Sequence, residues 1–331
     1  MSTMHNNMIK VPAFMKCFNE TFEKSTVKDI EKFSQKIGTC KAWMISSDYV
    51  FNDAHRNFDV ASFTLIPLIK DPAILKAEIA AAVPKDLKDR KSVTDKFIKL
   101  LQSNNQFHIV VAFPKCFMLG HGKDSEDKNV VEVLDSWING IRELCENVKG
   151  GEATYKTVAE SLLQLKKEYI GEKKISKRPL IREMICVVCL AAYIVARLHK
   201  STDAKMIIWS PDRDPMMGMV HGEFGRYFPQ VFLTLAQGYV RKLPQKYASG
   251  FVDFVCTLPP SAGVVWADEF NRLADYFAGL FARIDLSKEQ QEDCLHKLLV
   301  KYVVENPCVA VIGCDEKGAR RLEFSLSGQA G

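Results

Sequence analysis

The stretch Ala204 to Asp214, "AKMIIWSPDRD", passes from an apolar run straight into a turn of Ser, Pro, Asp and Arg. Its first half reads as a strand, and its second half as a turn by proline and aspartate content. What flanks it decides the fold. Upstream lies a very apolar helix over 180–199, initiated by Pro179. A strand reached through a helix can join its sheet in parallel. Downstream the alternation continues with a helical pattern around 223–242, the strand "FVDFVCTL", a "PPS" turn and a long helix to about residue 284.

The first part of the chain has a different rhythm. An amphipathic helix over 17–37 ends at Gly38, and then "CKAWMISS" leads to Asp48, with "FDVASFTLIPLI" following after a polar connection. Asp71 and Pro72 open a helix as N-cap and first helical residue, "KSVTDKFIKLLQ" gives a charged helix, and "FHIVVAF" is a third strand closed by Pro114. Helices near 129–147 and 154–169 fill the span from 115 to 178. A helix near 287–304 and a hairpin of "CVAVIG" with "RLEFSLS" finish the chain.

Three early strands at short spacing suit an antiparallel meander, and the later alternation suits parallel additions to the same sheet. The expectation is an α/β protein with the element order of a ribonuclease H-like fold: a mixed five-stranded sheet flanked by helices, with helical extensions and a C-terminal hairpin. In domain terms this is a helical extension over 1–40, a core over 41–284 with a helical insertion near 115–178, and a terminal helix and hairpin over 285–331.

With 47% hydrophobic residues in 331, the chain can bury a substantial core. Its net charge of +5 permits an anionic partner without the excess of a dedicated DNA coat. Ten scattered cysteines in a chain that needs no disulfide framework read as reduced thiols, hence as a cytoplasmic protein. The N-terminus carries no secretion pattern. Met184 to Ala196, the most apolar stretch, is shorter than the ~20 residues that span a bilayer, so no membrane is expected.

Chemistry is expected from acids. Metal-dependent phosphodiester cleavage needs hard oxygen ligands converging on one or two divalent ions, Mg²⁺ or Mn²⁺. Asp48 follows the first strand pattern, and Asp212 and Asp214 follow the fourth. If those two strands are parallel neighbours, Asp48 and Asp212 lie side by side. The helix "VWADEFNRLADYFAG" brings Asp268 and Asp275, seven residues apart and so on nearly one line of a helix. The bland alternatives are turn formation for Asp212 and Asp214 and a surface ion-pair ladder through Arg272 for the helix.

Asp48, "FTLIPL", the aspartate after "MIIW" and "TLPPSAGVVWADEFNRLADYFAGLF" together resemble a ribonuclease H-like nuclease family, domain of unknown function 3800. The resemblance runs over residues 41 to 284. It implies metal-binding acids at Asp48, Asp212 and either Asp268 or Asp275. Glu183, on the helix before strand four, stands where ribonuclease H folds take a further acid. Tyr49 and Val50 replace the family's Glu and Ser, and neither Ala-Asp pair is preceded by Gln. Two functions follow: a metal-dependent nuclease acting on DNA or RNA, or a non-catalytic interaction protein, a subunit of a larger bacterial system on a degenerate fold.

Other residues offer less. Cys186 and Cys189 have redox spacing but sit inside an apolar helix, where thiols act as small hydrophobes. His55, near Asp53 and Asp59, and His121 are loop histidines, and His221 with Glu223 follows the Asp212 turn. Lys173, Lys174, Lys177 and Arg178 form a basic connection able to meet a phosphate backbone. Met216, Met217 and Met219 sit beside the acids as core or adaptable surface.

Overall fold

The computed structural model describes residues 10–83, 93–103, 106–115, 123–147, 152–171, 178–218, 224–243, 252–260, 266–285 and 295–325. Among them is a seven-stranded mixed sheet. β1 (Ala42–Val50), β2 (Phe58–Pro67) and β3 (Phe107–Pro114) form an antiparallel meander. β4 (Met206–Pro211) lies parallel to β1, and β5 (Asp253–Cys256) parallel to β4. β6 (Val309–Asp315) runs parallel to β3 and turns back into β7 (Gly318–Leu322), so the order is β5-β4-β1-β2-β3-β6-β7. The sheet therefore has two strands more than the five expected, because the terminal hairpin extends it beyond β3. Gly318 makes the hairpin turn at φ 133°, a backbone state that L side chains rarely adopt.

Alternation along each strand divides the sheet into two faces. Trp43, Ile45, Ala61, Phe63, Ile109 and Val111 point to one core. That core is covered by α1 (Phe14–Ile37), α4 (Lys123–Asn147), α5 (Glu152–Ile170), α6 (Arg178–Ser201) and α8 (Phe224–Lys242). Met44, Val60, Ile66 and Val110 point the other way, under α2 (Pro72–Ala82), α3 (Asp95–Ser103) and α9 (Asp268–Arg283). α10 (His296–Leu298) and a π-helical turn, Leu299–Val303, complete this second layer.

Several local signals hold. Asp71 caps α2 by accepting from the Ala73 amide at 2.8 Å, with Pro72 at the first helical position. α1 presents Phe14, Phe18, Phe22, Ile30 and Phe33 as one apolar stripe and stops at Gly38, φ 79°. α6 is the one helix among the described residues long and apolar enough to cross a membrane, and 83% of its apolar window is buried inside the fold. Cys186 and Cys189 are fully buried within it as free thiols, pushed up by burial, which is the packing role expected of them.

Candidate functional site

β1 and β4 bring the first two acids together. Their parallel register ends at Ser47 opposite Pro211, and the Asp212 amide then donates to the Ser47 carbonyl at 2.8 Å. Asp48 and Asp212 are thus adjacent, one step beyond the last paired residues. Asp48 shares the face of Met44, and Asp212 that of Ile208, so both project toward α9. Asp48 lies inside β1 rather than after it, since the ladder to β2 continues through Asp48–Ser62 to Val50–Val60. The pattern "MISSDYV" concealed this, because a serine pair and an acid interrupt the apolar run.

α9 closes the site from above. It packs across β1 and β2, and the small residues Ala274 and Ala278 of the helix and Ser46 and Ser62 of the strands are all buried. The close approach carries Asp275 to Asp48. Burial pushes the Asp48 carboxyl well above the usual range, and the charges of Asp275 and then Asp212 push it further, with a smaller addition from Asp214. Asp48, Asp212, Asp214, Asp268, Asn271 and Asp275 line one pocket of about 500 Å³, together with Arg213 and Arg272. That is an ordinary size for a ligand site.

Each expected residue has a definite place, where the described residues include it. Asp275 is the helix acid that acts on Asp48; Asp268 lines the same pocket from the first turn of α9, where an acid also complements the helix dipole. Arg272, spaced to pair with both, donates from Nη1 to the Val83 carbonyl at 2.8 Å and so ties α9 to the end of α2. Asp214 accepts from the Met216 amide at 2.9 Å and caps the short α7 (Pro215–Gly218), while Met216 is core. Its carboxyl is raised by burial and, less, by Asp212.

Glu183 does not join the pocket. It is buried near the start of α6, accepts a hydrogen bond from Asn52 Nδ2, and faces Asp59 and Asp214 instead. Burial, with the charge of Asp214, pushes its carboxyl up to about 7. Arg178 is engaged within the protein: Nη1 donates to Asp127 at 2.8 Å and its guanidinium stands over the Tyr169 ring. Lys173, Lys174, Lys177, His121, Met219, His221 and Glu223 lie outside the described residues. His55 is exposed in the turn between β1 and β2, where its amide donates to Asp53.

The sequence reading passed over Asn271. It stands one turn before Asp275, on the same stripe, and is 2% exposed. Its Nδ2 donates to Asp212 Oδ1 at 3.2 Å, while its Oδ1 is buried without a hydrogen-bond partner. A buried orphan oxygen beside three carboxylates adds a neutral hard donor to the set, and hard oxygens are what Mg²⁺ and Mn²⁺ take. Among the described residues, however, no three His, Cys, Asp or Glu side chains gather in metal-holding geometry. A Mg²⁺ ion commonly takes one or two carboxylates and keeps several waters, so the donor set fits an ion held by Asp48 and Asp212 rather than a complete protein cage.

No family model, curated protein or solved structure matches this chain.

Proposed function

We propose that the protein is a metal-dependent nuclease on a ribonuclease H-like core, β3-β2-β1-β4-β5, cleaving nucleic-acid phosphodiesters with Mg²⁺ or Mn²⁺. One observation carries the reading: on adjacent parallel strands, Asp48 near the end of β1 and Asp212 just past the end of β4 stand side by side, and Asp275 of the covering helix acts on Asp48. A buried Asp48 whose proton affinity is raised further by Asp275 and Asp212 is well matched to a cation. Asp48 and Asp212 hold the ion, Asp275 completes the negative field, and Asn271 fixes the rotamer of Asp212. A bound divalent ion supplies Lewis acidity and a water of lowered pKa. Arg213 and Arg272 line the wall where an anionic phosphodiester enters.

The test is cleavage of single-stranded and structured DNA and RNA with Mg²⁺, Mn²⁺ or EDTA. The wild type is expected to cut only with metal, and its Tm is expected to rise on metal addition, since ligand that binds only the folded state stabilises it. D48N and D212N are expected to lose both responses while keeping the wild-type far-ultraviolet circular dichroism. Full activity in the double substitution D48A, D212A sinks the assignment.

The lack of a three-ligand cluster among the described residues favours a second reading, a non-catalytic interaction protein that keeps the scaffold. It predicts no metal-dependent change in Tm at millimolar Mg²⁺ or Mn²⁺.

A further inference from the structure

Beside Asp48 stands a serine that the fold leaves without a partner. On the α9 side of the sheet β1 presents Met44, Ser46 and Asp48, β2 presents Val60, Ser62, Thr64 and Ile66, and the antiparallel register puts Ser62 directly opposite Asp48. Opposed residues on one face have Cβ atoms about 4.5 to 5.5 Å apart, so a serine hydroxyl turning about one bond reaches a facing carboxylate. Ser62 is wholly buried, and among the described residues its Oγ has no hydrogen-bond partner. A buried hydroxyl left unmatched costs stability that an alanine in its place would not. Thr64, its neighbour on the same face, shows the ordinary outcome: its hydroxyl meets His108 Nδ1 at 3.0 Å.

The two carboxylates assigned to the cation differ in their support. Asp212 receives a side-chain donor, Asn271 Nδ2, at 3.2 Å. Asp48 accepts from the Tyr49 amide, and a carboxylate has about four lone-pair sites to fill. Carboxylates that hold metals are themselves hydrogen-bonded as a rule, and those bonds orient them toward the ion. Ser62 is placed to give Asp48 what Asn271 gives Asp212.

We propose that Ser62 is a positioning residue for the metal site: its hydroxyl donates to the ionised Asp48 carboxylate and fixes the orientation in which Asp48 takes a divalent cation. This rests on the nuclease reading of the site. Asp48 lines the pocket and Ser62 does not, so the hydroxyl acts through the carboxylate and touches neither substrate nor ion.

Wild type, S62A, S46A and D48N, each as the full chain, are titrated with Mn²⁺ by isothermal calorimetry, and their Tm is read in EDTA. Ser46 is the control. It too is wholly buried on this face, with an Oγ that has no partner among the described residues, but it stands opposite Thr64, one row away from the Asp48–Ser62 pair. S62A is expected to bind Mn²⁺ about 10- to 100-fold more weakly than wild type. Its Tm in EDTA is expected to stay at or above the wild-type value, because the substitution removes an unmatched hydroxyl; a purely structural serine would lower that Tm and leave the affinity alone. S46A is expected to keep the wild-type affinity. Wild-type affinity in S62A, or equal losses in S62A and S46A, overturns the proposal. Mn²⁺ binding that D48N abolishes and S62A leaves intact removes Ser62 from the site and keeps the site itself. Binding weakened in S62A, with no cleavage of any nucleic acid by wild type, retires the nuclease reading and keeps Ser62 at a cation site, while no Mn²⁺ binding by wild type overturns both.

Discussion

At the scale of single residues, two acids that look alike in the sequence separate in the fold. Asp268 and Asp275 share a helical line, so spacing alone places both near one site. What distinguishes them is how α9 packs on β1, a long-range fact that brings Asp275 to act on Asp48. D275N is therefore expected to shift the metal response of Tm more than D268N does, and equal shifts would contradict the placement. Asp48 and Asp212 were legible because each follows an apolar run, whereas the parallel pairing of their strands was only a condition in the sequence and is given by the ladder from Ala42–Met206 to Ser47–Pro211. Asn271 was not, since a lone amide in a polar stripe carries no signal until its neighbour is known. Glu183 makes a prediction of its own. Its carboxyl is held at about 7 in the fold against 4.5 as the ordinary value, so the folded state binds more protons between those pH values. Stability from this group falls as pH rises through that window. E183Q cannot ionise, so relative to wild type it is expected to gain on the order of 3 kcal/mol by pH 8 and nothing at pH 4. Urea denaturation in EDTA at both values measures the difference, and a gain independent of pH refutes it.

Among the elements, the helices and strands with clean periodicity were readable: α1, β2, β3, α6 and α9 lie within a few residues of their expected bounds. The misreadings have physical causes. β1 runs two residues past the acid that seemed to end it, because its ladder partners on β2 are in register whatever their polarity. One face of these strands hides a polar row. Register places Ser210 beside Ser46, Ser46 beside Thr64, and Thr64 beside His108, all buried beneath α9. His108 Nδ1 meets Thr64 Oγ1 at 3.0 Å, and its ring stacks on Phe277 with centroids 3.9 Å apart. Burial holds this imidazole down at about 3, well below the 6.5 of an unfolded chain. The unfolded state therefore binds the extra proton between these values. The stability involved is fully present above pH 6.5 and is lost as pH falls toward 3, at about 1.4 kcal/mol per unit. H108N is expected to be less stable at pH 7 from lost packing, yet its stability should fall less steeply from pH 6 to 4 than that of wild type. Parallel pH profiles for the two proteins would show that His108 is not buried as a neutral ring.

For the whole molecule, what sequence order could not supply was the placement of the chain's two ends. The hairpin was visible from its own alternation, but nothing local says that β6 runs parallel to β3, or that α1 packs beside it. That placement depends on partners some 200 to 300 residues away, as in the bond from Thr21 Oγ1 to the Ala319 carbonyl at 2.8 Å. Arg321 is the main polar tie. From β7 it donates to Thr26 Oγ1 at 3.1 Å, to Asp29 Oδ2 at 3.3 Å and to the Val309 carbonyl at 2.9 Å, with only 17% of its side chain exposed. Phe14 at the start of α1 meets Phe113 of β3 edge-on at 5.3 Å, and Phe33 near its end meets Phe107 of the same strand at 5.7 Å. Helix α1, the hairpin and the central meander therefore share one core, and they are expected to unfold together. Removing Arg321 leaves the part-buried Asp29 carboxylate without its cation and the buried Thr26 hydroxyl without this donor, a loss on the order of 2 to 4 kcal/mol. R321A is accordingly expected to lower the urea midpoint without changing m. Circular dichroism and the fluorescence of the buried Trp43, which packs against Phe33 of α1, should still give coincident curves. An early phase seen by circular dichroism and missed by tryptophan would mean instead that the ends peel away from an independently stable centre.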